Sequence, residues 1–392
     1  MLSIKQKRQV RLRIYMQTWK TASRILSLAV LLVLSQALSG CGQFFPPQTS
    51  SGGGGGGTGS NADIYVGNND TANIAGFSIA SSGINTLANS PYSLGVSPSA
   101  LAITPANSFL YVSSLAGGIF AYSIGTGGAL TIANNGNAVV SGISPTALRV
   151  DSTGQWLIVV DPTPAAYVFA INTSTGTLTS AGSVPLGTGS PNHMTIAPNN
   201  SFVYVSLGTG GVAILTFNAT TGVLTNTNQV LAPKQTLNAA QGLTVDPTGT
   251  YLFVAETGTS IVRVLSIATT GALKELTGSP YSTGTGPTGV LIDSTGSYLY
   301  VTNRASNNIS AFLLSSSGAL TQISGSPFAT GINPIDLAEE NTHTYVTVVC
   351  AGGTPDLQVF KIDTTIPGAL DPFKTSTTGT DPTNPLAIVA AN

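Results

Sequence analysis

The chain has 392 residues, of which 7% are charged and 42% hydrophobic, with 45 glycines and 22 prolines. That composition suits many short strands joined by tight turns and excludes a helix-dominated fold. Its 14 basic and 15 acidic residues nearly cancel, but seven of the basic ones, from Lys5 to Arg24, precede the first acidic residue, Asp63.

Residues 1–40 read as a secretion signal, because those seven cations lead into the apolar run Ile25 to Leu38. The run has 14 residues, short of the ~20 that a helix needs to cross the hydrocarbon core. Leu38-Ser39-Gly40-Cys41 then resembles the bacterial lipoprotein lipobox. The resemblance implies cleavage before Cys41, lipid on its sulfur, and membrane attachment through that anchor. Gly42 in place of Asp resembles lipoproteins sorted to the outer membrane, so the expected address is the cell envelope, at the outer membrane or cell surface. After cleavage 7 basic residues face 15 acidic ones, a balance of −8, which excludes nucleic acid as a partner.

Residues 41–61 form the lipidated end and its tether. PPQTSSGGGGGGTGSN has no apolar periodicity and six consecutive glycines. Its 16 residues span roughly 20–25 Å as a flexible coil. No Gly-Lys-Ser/Thr follows the glycines, so they are not a phosphate loop.

From residue 62 to 392 the chain repeats. Tyr65-Val66, Tyr111-Val112, Ile158-Val159, Tyr204-Val205, Phe253-Val254, Tyr300-Val301 and Tyr345-Val346 stand 46, 47, 46, 49, 47 and 45 residues apart. A second ladder, Gly83, Gly128, Gly176, Gly222, Gly271, Gly318 and Gly368, keeps step at 45, 48, 46, 49, 47 and 50. Two ladders of seven rungs at this period predict an all-β, seven-bladed β-propeller with four antiparallel strands per blade.

The fifth copy supplies the template: strands at 242–245, 251–255, 261–267 and near 273–276. Asp246-Pro247-Thr248-Gly249 between the first two, like Asp293-Ser294-Thr295-Gly296, carries a turn-forming acceptor and a glycine for positive φ. Asp151, Asp246 and Asp293 are therefore read as turn formers. The first copy begins at its second strand, whereas Pro385 to Val389 is a spare inner strand. The C-terminal strand is expected to pair with the N-terminal blade and close the ring, which removes exposed edges.

Cys350 lies in the apolar stretch Thr347-Val348-Val349-Cys350 with only Cys41 as a possible mate. It is expected to be a core residue, and no disulfide framework exists.

Tyr300-Val301-Thr302-Asn303 is a verbatim YVTN motif, and residues 62–392 resemble the seven-bladed lactonase (6-phosphogluconolactonase-like) propellers. The resemblance implies a lactone hydrolase with a histidine before an inner strand, a glutamate after a second strand and an arginine after the next. Here Pro191-Asn192-His193 and Thr302-Asn303-Arg304 match, whereas Leu207-Gly208 stands where the glutamate belongs and Glu256 lies one unit later. The implied catalytic set is His193, Glu256 and Arg304. Residues three beyond each rung, Asn68, Ser114, Asp161, Leu207, Glu256, Asn303 and Val348, are expected to ring the same face. Asn68, Asp161 and Asn303 are its candidate binding residues. His343 falls in a turn on the opposite face and reads as a surface residue.

No His-Glu-x-x-His, cysteine pair, Gly-x-Ser-x-Gly or calcium loop is present, so neither a metal nor a cofactor is expected. Two functions stay open for this monomer. One is a binding module that presents a propeller face to a protein, a glycan or a small sugar-derived ligand. The other is a sugar-lactone hydrolase.

Overall fold

The structure, a computed structural model, describes residues 62–235, 238–379 and 385–392. The signal segment, Cys41 and the tether lie outside the described residues. The rest forms seven antiparallel sheets, each built of four main strands. Blade 5 is typical, with an inner strand Ala240–Val245, then Tyr251–Glu256, Ile261–Ile267 and an outer strand Leu273–Glu275. The inner strands of blades 2, 3, 4, 6 and 7 are Pro98–Ile103, Ala147–Val150, His193–Ile196, Pro287–Ile292 and Ile332–Glu339. Each touches the next around a ring.

The ring closes as the spare strand predicts. Pro385–Ala390 is the inner strand of blade 1 and pairs antiparallel with Asp63–Asn68, Tyr65 opposite Val389. Asn392 reaches further: its N–H donates to Asn107 Oδ1 at 2.8 Å and its carbonyl accepts from Asn107 Nδ2 at 2.6 Å. The last residue is thereby bonded to the first turn of blade 2.

One contact explains why the two ladders keep step. In blades 1, 2, 4 and 6 the rung tyrosine donates its hydroxyl to the ladder glycine of the next blade: Tyr65 to Gly128 O at 2.7 Å, Tyr111 to Gly176 O at 3.0 Å, Tyr204 to Gly271 O at 3.1 Å and Tyr300 to Gly368 O at 3.0 Å. Those hydroxyls are buried and need a partner, and the glycine carbonyl is it. The glycine is required twice over. Gly271 has φ +80°, and a Cβ there would stand 2.3 Å from the ring of Phe202, the residue two before the rung in blade 4.

The seventh rung is corrected by two residues. Glu340 N–H bonds Tyr345 O as Asp293 N–H bonds Tyr298 O, so Tyr345 matches Tyr298 and the rung itself is Thr347-Val348. Cys350, opposite Pro334, therefore takes the place expected for Val348, just as Asn303 faces Pro287. Burial pushes the Cys350 thiol up to about 12, as suits a core residue.

The turn aspartates behave as expected. Asp151 Oδ1 accepts the N–H groups of Gln155 and Trp156 at 3.0 and 2.8 Å. Asp293 Oδ1 does the same for Ser297 and Tyr298, both at 2.7 Å. The fourth residue of this turn is a glycine near φ +70° in blades 3, 5 and 6, but Asn107, Asn200 and His343 adopt φ +51°, +54° and +55° in blades 2, 4 and 7. Each of these side chains reaches back to the preceding blade. Asn200 bonds Asp151 and Ser152, and His343 Nδ1 bonds Ser294 Oγ at 2.8 Å and meets Glu339 at 3.3 Å. His343 is exposed, as expected, yet it also ties two blades together.

Candidate functional site in the central channel

Strand register brings the expected site positions to one end of the sheets. His193 lies opposite Ser206, Glu256 opposite Ala240, and Asn303, beside Arg304, opposite Pro287. The shared face does not bring the three catalytic candidates into contact.

His193 starts the inner strand of blade 4 and is partly exposed along the channel that the inner strands enclose. Its Nε2 stands 3.1 Å from Nη2 of Arg149, on the inner strand of blade 3. A guanidinium only donates, so Nε2 accepts and the imidazole proton sits on Nδ1, a buried atom with no partner. Burial first, and the Arg149 charge second, lower His193 to about 3, which makes it a neutral histidine at any physiological pH.

Arg149 also donates from Nη1 to its neighbour's carbonyl, Leu148 O, at 3.1 Å. Among the described residues no carboxylate forms an ion pair with it. Burial depresses its pKa, and the field of Asp336 opposes that shift. Asp336 belongs to the inner strand of blade 7 and accepts N–H bonds from Leu337 at 3.0 Å and Ile388 at 3.3 Å. Burial raises its pKa and Arg149 lowers it in return, so the two charges feel each other across the channel without touching. Both side chains are partly exposed.

Glu256 is elsewhere in every sense that matters to chemistry. It is buried and accepts Arg263 Nη1 at 2.9 Å, Asn238 Nδ2 at 2.8 Å and the Lys234 N–H at 3.0 Å. Arg263 bonds Ala232 O at 2.8 Å and Glu275 at 3.1 Å, and Lys234 Nζ meets Glu275 at 3.1 Å. This network fastens the segment entering blade 5 to that blade's own sheet. Arg304 is exposed, and its N–H bonds Gly286 O at 2.8 Å. Its guanidinium makes no hydrogen bond or ion pair among the described residues.

The candidate binding residues are likewise engaged, Asp161 and Asn303 within their own blades and Asn68 also with the segment that follows blade 7. Asn68 Nδ2 bonds Asn73 Oδ1 at 2.9 Å and Thr378 O at 3.0 Å. Asp161 accepts the Thr163 N–H at 3.0 Å and both the Thr163 and Tyr167 hydroxyls. Asn303 Nδ2 bonds Asn308 Oδ1 at 2.8 Å and Ser310 Oγ at 2.9 Å. Each residue fixes the hairpin between its second and third strands.

Arg149 and Asp336 had no place in the expected site. Their signal was nonetheless present, a charged residue inside an aliphatic inner strand, Leu148-Arg149-Val150 and Ile335-Asp336-Leu337. A separate cavity of about 310 Å³, lined by Gln358, Phe360, Phe373 and Lys374, lies toward the outer edge of blade 7 and gathers no titratable cluster. Among the described residues no group of three His, Cys, Asp or Glu could hold a metal ion.

The family described as lactonase, 7-bladed beta-propeller, matches residues 161–289 and 277–386, together 226 of the 392. No curated protein sequence matches the chain. Among solved structures, a putative 6-phosphogluconolactonase from Bacteroides uniformis is 16% identical with a TM-score of 0.69, over 83% of this chain and 98% of that one. The periplasmic gluconolactonase PpgL of Pseudomonas aeruginosa gives the same 16%, 0.69, 83% and 98%. A putative 6-phosphogluconolactonase from Bacteroides fragilis is 19% identical, with a TM-score of 0.68 over 83% and 97%. At such identities the likeness concerns the fold alone.

Proposed function

Because the chain belongs to the lactonase family of seven-bladed β-propellers, we propose that it is a lipid-anchored envelope hydrolase that opens unphosphorylated sugar lactones at Arg149 and Asp336. The observation that carries this reading is the charge pair itself. In a chain with 7% charged residues, a cation bonded to His193 and a carboxylate facing it across the channel stand partly exposed with polar atoms left over for a bound molecule.

Asp336, its pKa raised by burial, serves as general base and takes a proton from the attacking water. The water oxygen bonds to the lactone carbonyl carbon, and Arg149 donates to the oxygen on which charge develops. The ring C–O bond then breaks, and the proton held by Asp336 passes to the departing ring oxygen. Neutral His193 props Arg149 in place. One cation facing one carboxylate leaves no surplus positive charge for a phosphate dianion, and the balance of −8 after cleavage points the same way. The secretion signal and Cys41 support the envelope address.

A second reading, a binding module that kept the fold without the chemistry, is favoured by the complete engagement of Glu256 within blade 5. The test is turnover of a panel of phosphorylated and unphosphorylated lactones, with Asp336→Asn alongside. Hydrolysis of the unphosphorylated members, reduced about 100-fold or more in Asp336→Asn, is expected. No turnover of any member sinks the hydrolase reading.

A further inference from the structure

The guanidinium of Arg149 is partly exposed among the inner strands, bonds only a backbone carbonyl and an imidazole nitrogen, and has no anionic partner among the described residues. Two of its five N–H groups account for those bonds, which leaves donors over. Cations that their surroundings desolvate, as here, ordinarily have a carboxylate or phosphate against them. Asp336 does not fill that role, because its Oδ1 and Oδ2 accept from Leu337 and Ile388 and it stands beyond ion-pair contact. Each carboxylate oxygen still has a lone pair to offer. The two groups thus present unspent donors on blade 3 and an unspent acceptor on blade 7, on opposite sides of one channel.

We propose that this channel site binds open-chain polyhydroxy carboxylates, with the ligand carboxylate on Arg149 and a ligand hydroxyl donating to Asp336. The inference rests on the channel reading above and extends it: the site retains the acid formed by ring opening, so the product competes with the lactone. A monoanion matches the single cation. A hydroxyl matches the acceptor, whereas a second negative charge would confront it.

The test is isothermal titration of the purified protein with D-gluconate, alongside acetate, L-alanine and inorganic phosphate. Gluconate is expected to bind at least tenfold more tightly than acetate, which carries no hydroxyl for Asp336, and than phosphate. Arg149→Gln should weaken gluconate at least tenfold, and Asp336→Asn should narrow the gap between gluconate and acetate. Should either variant fold poorly, the unmodified protein still decides, since its melting temperature must rise with gluconate and not with equimolar acetate.

Equal affinity for gluconate and acetate, or tighter binding of alanine, whose ammonium would pair with Asp336, overturns the proposal. Lactone turnover without gluconate binding overturns this inference alone. Gluconate binding without turnover overturns the hydrolase reading, and with it the competition, and leaves the carboxylate site standing.

Discussion

His193 Nε2 accepts from Arg149 Nη2 at 3.1 Å across the boundary between blades 3 and 4, a bond that exists only while the imidazole is neutral. Protonation would set two cations face to face inside the channel. The histidine therefore links acidity to the stability of the ring.

His193 titrates near 6.5 in the unfolded chain and about 3 in the folded one. Between those values the unfolded state holds the extra proton, so the stability due to this residue is complete above pH 6.5 and declines as pH falls, by up to about 1.4 kcal/mol per unit. Urea unfolding of the protein and of His193→Gln from pH 7.5 to 4.5 should show a steeper decline for the unsubstituted chain. Parallel curves would mean that His193 is already charged when folded.

Glu256 is expected to matter for folding and not for turnover. Arg263→Met leaves that buried carboxylate without its nearest cation and should lose about 3–5 kcal/mol. Glu256→Gln keeps an acceptor and should lose about 1–3 kcal/mol, with lactone turnover per folded molecule unchanged. A large fall in kcat for a well-folded Glu256→Gln would return Glu256 to the reaction.

Two glycines separate the effects of backbone and space. Gly271→Ala forces a Cβ to within 2.3 Å of the Phe202 ring at φ +80°, and should lose about 2–4 kcal/mol. Gly187 has φ +86° with nothing near its missing Cβ, so Gly187→Ala should lose about 1 kcal/mol. Equal losses would remove the ring contact as the reason for the glycine ladder.

Removing residues 385–392 deletes the strand that pairs with Asp63–Asn68, leaving a wholly buried strand with an open edge. A large drop in melting temperature is expected. Asn107→Gly, which tolerates the φ of +51° and removes the side-chain bonds to Asn392, should lose about 1 kcal/mol.

The fold was legible because its requirement recurs. Four blades set a buried hydroxyl against the next blade's glycine, as Tyr204 does with Gly271 and Tyr300 with Gly368, and Ile158 and Phe253 fill the same buried rung position elsewhere, so two ladders run at one spacing. The ladder slipped in blade 7, where Thr347 offers neither a ring nor a large aliphatic side chain to mark the rung, and Tyr345, which packs on Phe373, looked like it. The channel site repeats nothing. Arg149, His193 and Asp336 come from blades 3, 4 and 7, and only the closed ring makes them neighbours. Glu256 matched a family position closely enough to be expected at the site, yet Arg263, seven residues on, had already claimed it.

The pairing of Pro385–Ala390 with Asp63–Asn68 also sets an order of events during synthesis. The first strand made after residue 62 must wait for the last before it has both neighbours. Until then it presents an uncapped, apolar edge to every other nascent chain nearby, a state prone to aggregation.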